Sequence, residues 1–390
     1  MSTATTVKAS VLHGARDLRV EERTLPPLAA DEVRVAVKAT TLCGSDLHYY
    51  HHYRNGDILV REPMTLGHES AGVVTAVGAS VQDLRPGDAV ALEVGVPCAR
   101  CALCEQGRYN ICRDMQFRSS ARSFPHRQGT LQQEIAHPAR WCHRLPAGLP
   151  LGLGALAEPL SVAMHALDRA QLPPPPPPPS SSSSSKSATV LVLGAGAVGL
   201  LCAALCKVAG AGAVVIADIQ QDRVDFATRN GFADAGFVVP ARRPETTEAR
   251  LEFAKEVAAL AARTAVRGQE VGEVARTFEC TGVEICLQTA IYATQPGGKV
   301  MLIGMGTPIQ TLPISAAALR EVDLVGSFRY AHTYPRVLEL LASKNPLLPD
   351  LEKLCTQRFV GLDNIPKAFE MAGKVKDDDG KLVLKVVVEM

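Results

Sequence analysis

Hydrophobic and polar positions alternate over short distances in the first part of the chain, and the period changes further on. Val33 to Val37 and Gly72 to Val77 are typical of strands, and turns such as Arg85 to Asp88 separate such segments. This pattern predicts an antiparallel, barrel-like unit. From Thr189 onward, apolar strands alternate with amphipathic helical stretches such as Leu251 to Arg263. That alternation predicts a parallel sheet covered by helices on both faces.

The pattern changes once more after Val325. Arg336 to Ser343 is predicted to be a helix, and Leu382 to Val388 is predicted to be a strand. We expect this last segment to return to the first domain and complete it. The predicted domains are therefore residues 1–165 completed by 327–390, and residues 166–326.

A low-complexity insertion at 173–187 lies near the junction of the predicted domains. Pro173 to Pro179 favour an extended polyproline conformation, and Ser180 to Ser185 offer nothing to a hydrophobic core. We expect a surface loop. The alternative is a ligand for a proline-binding adaptor domain.

Composition narrows the class of protein. A chain of 390 residues that is 47% hydrophobic can fill two cores, and its net charge of +1 gives no basic surface for a nucleic acid. Met1 to Asp17 contains no secretion signal, so we expect the 11 cysteines in a reducing, cytoplasmic setting. Ala188 to Cys206 carries no charge, but glycines divide it into a strand, a turn and a helix. No membrane partner is expected.

A glycine-rich turn follows the strand Thr189 to Leu193. In the pattern G-x-G-x-x-G the glycines allow a tight turn, close approach of a pyrophosphate, and close packing of helix on strand. Asp218 ends the next apolar strand, where a carboxylate accepts hydrogen bonds from ribose hydroxyls, so NAD is predicted over NADP. Arg223 could partly offset the repulsion of a 2′-phosphate. The predicted cofactor-binding residues are Gly194, Gly196, Val198, Gly199, Asp218 and Arg223.

Four closely spaced cysteines predict a structural zinc site. Four thiolates complete the tetrahedral coordination of Zn²⁺ and leave no position open, so such a site stabilises a loop and takes no part in catalysis. An iron–sulfur cluster and a nucleic-acid-binding zinc ribbon are the alternatives. These residues are Cys98, Cys101, Cys104 and Cys112.

A second group of donors predicts a catalytic zinc site. Cys43, His68 and Glu69, with Glu158 further along, supply mixed sulfur, nitrogen and oxygen ligands and leave one position for water or a substrate hydroxyl. Coordination lowers the pKa of such a hydroxyl, and the resulting alkoxide can transfer hydride to a nicotinamide. Each residue alone is more often structural, but their presence beside a dinucleotide turn favours catalysis.

Several motifs resemble one family. They are Cys43 to Tyr49, Gly67-His68-Glu69, the four-cysteine loop, Glu158 to Val162, the glycine turn and Phe328-Arg329-Tyr330. Together they resemble the zinc-containing medium-chain dehydrogenases of the sorbitol/xylitol (polyol) type, particularly the fungal members. The resemblance implies an α/β fold, with a GroES-like antiparallel β-barrel catalytic domain and a Rossmann cofactor domain with a doubly wound parallel sheet.

The resemblance also implies an activity and a set of roles. The expected reaction is the NAD-dependent oxidation of a sugar alcohol, a small molecule, to the ketose, with two Zn²⁺ per subunit in a homotetramer. Cys43, His68 and Glu69 would bind the catalytic ion, and Glu158 would bind it directly or through water. By resemblance, Ser45 and His48 relay the proton, and the substrate-binding residues are Tyr49, Phe117, Arg329 and Tyr330.

Alternatives remain within and outside this activity. An L-arabinitol dehydrogenase, or a zinc alcohol or threonine-type dehydrogenase, would share the framework. A redox-responsive zinc-thiolate protein would keep the fold without catalysis. The stretch Arg118 to Gln128 is longer and more basic than the corresponding loop of animal sorbitol dehydrogenases. The resemblance therefore does not predict which residues line the far end of the substrate pocket.

Overall fold

A computed structural model describes residues 5–173 and 188–390 of the chain. Residues 174–187 of the predicted Pro/Ser insertion therefore lie outside the described residues. The chain folds into two compact units. Unit 1 comprises Met1–Ser161, Ala331–Ser343 and Leu351–Met390, and unit 2 comprises Val162–Tyr330 and Lys344–Asp350. The domain boundaries given above stay a prediction.

The strands of both units are short to medium in length. In chain order they are β1 (Thr5–Gly14), β2 (Asp17–Leu25), β3 (Glu32–Thr41), β4 (Arg54–Asn55), β5 (Ile58–Leu59), β6 (Met64–Thr65), β7 (Glu69–Val77), β8 (Ala89–Leu92), β9 (Gly95–Val96), β10 (Gln116–Phe117), β11 (Glu134–Pro138), β12 (Cys142–Arg144), β13 (Thr189–Leu193), β14 (Ala213–Asp218), β15 (Ala235–Val238), β16 (Ala265–Val266), β17 (Gln269–Glu270), β18 (Val274–Glu279), β19 (Thr294–Leu302), β20 (Asp323–Gly326), β21 (Cys355–Val360) and β22 (Lys385–Glu389).

The helices vary from single turns to one of 20 residues. They are α1 (Gly44–His52), α2 (Ala102–Glu105), α3 (Leu151–Ala170), α4 (Ala197–Val208), α5 (Gln221–Arg229), α6 (Thr247–Arg263), α7 (Glu284–Ala293), α8 (Ile314–Ala318), α9 (Tyr334–Ala342) and α10 (Ile365–Ala372). Short 3₁₀ turns occur at Tyr109–Ile111, Ala139–Trp141, Leu351–Leu354 and Leu362–Asn364.

Unit 1 is built on a mainly antiparallel sheet with strand order β12-β8-β7-β3-β22-β21, and β11 pairs with β3. The central strand β3 is antiparallel to β7, β11 and β22, and only β21 and β22 are parallel. Val33, Val35 and Val37 of β3 are buried, as the sequence pattern predicts for a strand packed on a core. The pairing of β22 with β3 brings the last described strand beside one of the first.

Unit 2 contains a parallel sheet with strand order β15-β14-β13-β18-β19-β20. All of its strand pairs are parallel, and the chain order reverses at β13. This is the strand order of a doubly wound dinucleotide-binding sheet, in which ligands bind beyond the carboxyl ends of the strands. The predicted parallel sheet of the second half is thereby confirmed.

The helix α6 shows why its sequence is helical. Thr246 caps its first turn, where the side-chain oxygen accepts a hydrogen bond of 3.2 Å from the N–H of Ala249. Phe253, Val257 and Ala261 recur every four residues and are buried. The predicted helix Leu251 to Arg263 lies within α6.

The apolar stretch Ala188 to Cys206 forms β13, the glycine turn and most of α4, as predicted. Among the described residues, none of the helices has both the length and the apolar character needed to cross a bilayer. At the end of the chain, the predicted strand Leu382 to Val388 is Lys385–Glu389 instead. Leu382 forms an isolated bridge with Lys376, so the regular pairing with β21 begins only at Lys385.

Candidate zinc centres and cofactor-binding turn

Cys43, His68 and Glu69 meet in unit 1, with one ligand atom of each lying within 4.8 Å of the other two. Cys43 precedes α1, His68 directly precedes β7, and Glu69 is the first residue of β7, which pairs with β3. His68 and Glu69 are buried, whereas Cys43 is partly exposed. Three donors of mixed type match the ligand set of a catalytic zinc site.

Asp46 fixes the imidazole of His68. Its Oδ1 lies 3.2 Å from His68 Nδ1, and it also accepts hydrogen bonds from Ser119 Oγ at 2.5 Å and from the N–H of Gly67 at 3.2 Å. With Nδ1 held by this carboxylate, Nε2 is the atom that His68 offers to a metal. Burial opposes ionisation of Asp46, but the charge of His68 and these hydrogen bonds together hold its pKa below the ordinary value.

Burial and the neighbouring charges have opposing effects on the pKa of His68. Burial disfavours the charged imidazole, but Asp46 and Cys43 outweigh it and raise the pKa of His68 well above its ordinary value. Asp46 and Cys43 thus stabilise the protonated imidazole. His68 must lose that proton before it can bind a metal.

Gly67 is required by the close packing at this site. Its φ is 92°, and a Cβ there would lie 2.8 Å from Leu131 Cγ and 2.9 Å from Thr130 Oγ1. Only glycine adopts this conformation readily and fits this space. The glycine therefore positions His68 and Glu69 through the backbone.

Glu69 is held by two residues that the sequence motifs do not indicate. Lys385 Nζ lies 2.7 Å from Glu69 Oε1 and 2.5 Å from Oε2, and Thr41 Oγ1 donates to Oε2. Both Lys385 and Glu69 are at most 5% exposed. Lys385 comes from β22 and Thr41 from β3, so the pairing of these two strands builds the surroundings of Glu69.

Glu158 lies on α3 and is buried. Burial lowers the pKa of Lys385, but the contacts with Glu69 and the charges of Cys43 and Glu158 outweigh it and raise that pKa above its ordinary value. Glu158 is therefore near the cluster. The three-residue cluster of described residues does not include it, so direct ligation by Glu158 stays a prediction.

The predicted relay and substrate residues on α1 differ in their surroundings. Ser45 Oγ lies 3.4 Å from Cys43 Sγ, whereas His48 is exposed one turn further along. Tyr49 is 2% exposed, and its Oη accepts a hydrogen bond of 3.2 Å from the N–H of Ala121. Its ring belongs to the core of unit 1.

Phe117 lies beside a candidate ligand, with its ring centroid 5.6 Å from that of His68. The neighbouring Arg118 points into unit 1, where it donates to His137 Nδ1 at 3.2 Å, to the carbonyl oxygen of Gln128 at 2.9 Å and to that of Ala136. Burial lowers the pKa of Arg118 to about 9. Arg118 therefore anchors the basic loop and does not extend into solvent.

Arg329 and Tyr330 belong to unit 2. The guanidinium of Arg329 lies 4.8 Å from the ring centroid of Phe328, and Tyr330 is buried. The role of Arg329 and Tyr330 in binding a substrate stays a prediction.

The four cysteines of the predicted structural site form the other cluster of ligands among the described residues. Sγ–Sγ separations are 3.5 Å for Cys101–Cys104, 3.9 Å for Cys101–Cys112 and 4.0 Å for Cys98–Cys104. Four sulfurs at about 2.3 Å from a tetrahedral ion would lie about 3.8 Å apart. The spacing fits Zn²⁺ and is far longer than a disulfide bond.

The backbone also favours thiolates in this loop. The N–H of Arg100 is the main cause that lowers the pKa of Cys98 to about 7, whereas burial raises that of Cys104 to about 12. An ion at the centre would favour the thiolate form of all four cysteines.

In unit 2, the glycine turn joins β13 to α4. Gly194 has a φ of 98°, and a Cβ on Gly199 would lie 1.8 Å from the carbonyl oxygen of Gly194. The turn thus requires glycine at both ends. Gly196 and Val198 lie at the start of α4, where free backbone N–H groups can bind a pyrophosphate.

Asp218 stands at the end of β14 and is connected to the turn. Its Oδ2 accepts a hydrogen bond of 2.7 Å from the N–H of Ala195, and its Oδ1 accepts one of 2.9 Å from the N–H of Gln220. An ionised carboxylate has about four acceptor sites, so two remain for ribose hydroxyls. Arg223 lies against the turn: its Nη1 is 3.9 Å from where a Cβ of Gly196 would be, and its buried Nε has no hydrogen-bond partner among the described residues.

Comparison with known proteins agrees with this arrangement. Residues 29–147 match the family model of the alcohol dehydrogenase GroES-like domain, and residues 197–343 match that of the zinc-binding dehydrogenases. Sorbitol dehydrogenase from Gallus gallus is 38% identical over 97% of this chain and 96% of its own length. The chain belongs to the zinc-containing medium-chain dehydrogenases, in their polyol dehydrogenase branch. The predicted fold class, a GroES-like domain with a Rossmann domain, is confirmed.

Other relatives of this dehydrogenase have related names. The probable D-xylulose reductase A from Emericella nidulans is 38% identical over 85% of each chain. The crystal structure of L-idonate 5-dehydrogenase from Escherichia coli superposes with a TM-score of 0.82 at 25% identity, covering 100% of this chain and 99% of that chain. The Gallus gallus and Emericella nidulans proteins have the same sequence identity to this chain. These identities therefore do not indicate a special similarity to the fungal members of the family.

Proposed function

We propose that this protein oxidises a secondary hydroxyl of a sugar alcohol, such as sorbitol, xylitol or a related polyol, to the ketose with NAD as hydride acceptor. The observation that carries the proposal is the cluster of Cys43, His68 and Glu69, with the carboxylate of Glu158 nearby. The names of the relatives support the substrate class, because sorbitol, xylulose and idonate are all polyhydroxylated.

The donor set of the cluster fits zinc. A thiolate, an imidazole nitrogen and a carboxylate oxygen would hold the ion and leave a fourth position open. When bound there, Zn²⁺ would act as a Lewis acid that lowers the pKa of a hydroxyl in that position. The four-cysteine loop would hold a second ion with a structural role.

The protein's own residues then have separate tasks. Asp46 holds His68 in one orientation and tautomer through the 3.2 Å contact with Nδ1. Ser45, whose Oγ is 3.4 Å from Cys43 Sγ, would accept the alcohol proton, and exposed His48 would pass it to solvent. The exposure of His48 one turn further along α1 supports an outward path.

The glycine turn and Asp218 would bind NAD. Its pyrophosphate would accept hydrogen bonds at the start of α4, and the two remaining acceptor sites of Asp218 would bind the adenosine ribose. A negative charge there repels a 2′-phosphate, so NAD is expected over NADP. Arg223 is well placed beside Gly196 to contact the cofactor as well.

From family resemblance alone, we expect the substrate to be bound by Tyr49, Phe117, Arg329 and Tyr330. A polyol must exchange its hydrogen bonds with water for donors and acceptors of the protein, and an arginine supplies five N–H groups. A pocket for a simple alcohol would instead be apolar. We infer the homotetramer from family resemblance alone, and light scattering would test it against a subunit mass of 41.5 kDa.

A substrate panel tests the proposal. Zinc-loaded protein should reduce NAD with sorbitol, xylitol or L-arabinitol, and more slowly with ethanol or benzyl alcohol. L-Idonate belongs in the panel because one structural relative carries that name. Activity with the simple alcohols but none of the polyols would overturn the substrate class.

The variant Cys43→Ser separates the enzyme from a purely structural zinc protein. It should remove turnover and one zinc ion while the four-cysteine ion stays. Cys286→Ser is the control for zinc content and should keep both ions, because Cys286 is partly exposed and lies in neither ligand cluster of the described residues. Turnover at the wild-type rate in Cys43→Ser would refute the catalytic role of this site.

A further inference from the structure

Lys385 is a buried lysine whose ammonium contacts a candidate metal ligand. Its Nζ lies 2.7 Å and 2.5 Å from the two carboxylate oxygens of Glu69, and its side chain is 5% exposed. Buried lysines are rare unless they are paired, so an ion pair at this place calls for an explanation. No motif of the sequence indicates it, because the two residues are 316 positions apart.

The contacts of Glu69 determine how it can bind a metal. An ionised carboxylate has about four acceptor sites. Thr41 occupies one site on Oε2, and Lys385 contacts both oxygens, which leaves one site on Oε1. A carboxylate with a single site left can bind an ion only through that one oxygen. The orientation of Glu69 is thus fixed by β3 and β22.

The charges around the cluster also require a cation. With Cys43 bound to a metal as the thiolate, the ligand set and the carboxylate of Glu158 would carry three negative charges, one more than a divalent ion can offset. The ammonium of Lys385 contacts Glu69 directly, and the charges of Cys43 and Glu158 also act on it. Asp46, on the other side of His68, is satisfied by donors of its own. Uncompensated charge in a buried site is costly. The ammonium of Lys385 would offset the one negative charge that a divalent ion leaves unbalanced.

We propose that Lys385 is a positioning residue of the catalytic metal centre: it holds Glu69 as a ligand through one oxygen and balances the excess negative charge of the ligand set. The inference rests on the proposed zinc site. Lys385 touches neither substrate nor cofactor in this role, and it acts through Glu69 alone. Its loss should therefore change the retention of the metal before it changes anything else.

The test compares zinc release from the full-length, zinc-loaded protein and its Lys385→Met variant. A chromogenic chelator follows the release of each ion, and atomic emission gives the zinc content per subunit. Neighbours of metal ligands typically change metal affinity by about 10- to 100-fold when replaced. We expect K385M to release the catalytic ion faster by that factor and the four-cysteine ion at the wild-type rate. Lys385→Arg, which keeps the charge, should restore much of the retention.

Lys207→Met is the matched control. Lys207 forms an ion pair of 3.0 Å with Asp234 in unit 2, and neither residue belongs to a ligand cluster of the described residues. It should release both ions at wild-type rates. A Co²⁺-loaded sample gives an independent readout, because the visible spectrum of the ion reports its ligands: K385M should shift that spectrum, and K207M should not.

The outcomes separate the inference from the proposed function. If wild-type protein holds only the four-cysteine ion, the zinc proposal and this inference both fail. If wild-type protein holds two ions and K385M releases both at wild-type rates, or holds the catalytic ion more tightly, the inference alone fails. Should K385M also lose the four-cysteine ion, which would indicate unfolding, Lys385→Gln is judged by the same criteria.

Discussion

Asp46 is completely buried behind His68 and accepts hydrogen bonds from an imidazole, a hydroxyl and a backbone amide. Its position three residues after Cys43 follows from the first turn of α1, which also brings the N–H of Cys43 to 3.4 Å from Oδ2. One side chain thus orients the segment of Cys43 and the ring of His68 together. At this scale, the geometry of the candidate metal centre depends on residues outside the predicted ligand set.

The variant Asp46→Asn should weaken zinc binding at the Cys43 site by about 10- to 100-fold. The carboxylate of Asp46 faces only hydrogen-bond donors, and an amide would place its own N–H donors against some of them. Competition with a zinc chelator of known affinity measures the change. Asp225→Asn, on the exposed pair with Arg229, is the control and should have no effect. Unaltered zinc affinity in D46N would mean that His68 is oriented by other contacts.

Asp218 allows a test of cofactor choice. Asp218→Ala should lower the ratio of kcat/KM for NAD to that for NADP by about tenfold, since a hydrogen bond to a charged group contributes about 1.5–3 kcal/mol. The carboxylate also supports the N–H groups of Ala195 and Gln220, so both absolute rates should fall. The ratio is therefore the measurement, and an unchanged ratio would argue against ribose binding by this residue.

Among the elements, the four-cysteine loop is anchored in the protein at one end only. Its helix α2 spans only Ala102–Glu105 and contains no buried residue, whereas the adjoining 3₁₀ turn Tyr109–Ile111 buries Tyr109, whose hydroxyl donates to Glu93 at 2.7 Å. Helices of one turn are not stable by themselves in water. The shape of the segment that carries Cys98, Cys101 and Cys104 should then depend mainly on the ion that the thiolates would bind.

Replacing Cys112 by Ser should therefore unfold the loop locally. Arg100, Arg108 and Arg113 lie within or beside this loop, so trypsin should cleave the variant at these sites faster than it cleaves the wild type. The Cys286→Ser variant serves as the control. Equal rates of cleavage in C112S and wild type, with zinc content measured in parallel, would show that the loop is held without the ion.

At the scale of the whole molecule, unit 1 contains two sites with the same predicted metal and different donor sets. The open site has one thiol among its donors, whereas the closed site has four. Thiolate ligands and full coordination slow the loss of zinc, and an open position gives a chelator access to the ion. The two ions should then differ in lability.

Mild chelation should remove one ion per subunit and abolish activity while the melting temperature changes little. Harsher chelation, which removes the second ion, should lower the melting temperature and make the four-cysteine loop sensitive to protease. Calorimetry and zinc analysis on the same samples test this order. If mild chelation first removed the ion whose loss lowers the melting temperature, the assignment of the two sites would be contradicted.

Local sequence patterns predict those parts of the molecule whose residues are close together in the chain. The glycine turn, the four-cysteine spacing and the Gly67-His68-Glu69 motif are recognisable for this reason. Thr41, Ser119 and Lys385 are not predicted as partners of the site, because strand pairing and loop packing bring them there from distant positions. The strand that carries Lys385 begins three residues later than predicted, since Leu382 pairs outside the regular ladder.

The pairing of β22 with β3 has a consequence for biosynthesis. Lys385 is translated 316 residues after Glu69, a delay of roughly 15 to 60 seconds at about 5–20 residues per second. During that interval the nascent polypeptide contains Cys43, His68 and Glu69 without the ammonium that pairs with the Glu69 carboxylate. Firm capture of the catalytic ion should accordingly be a late event in the maturation of each newly made molecule.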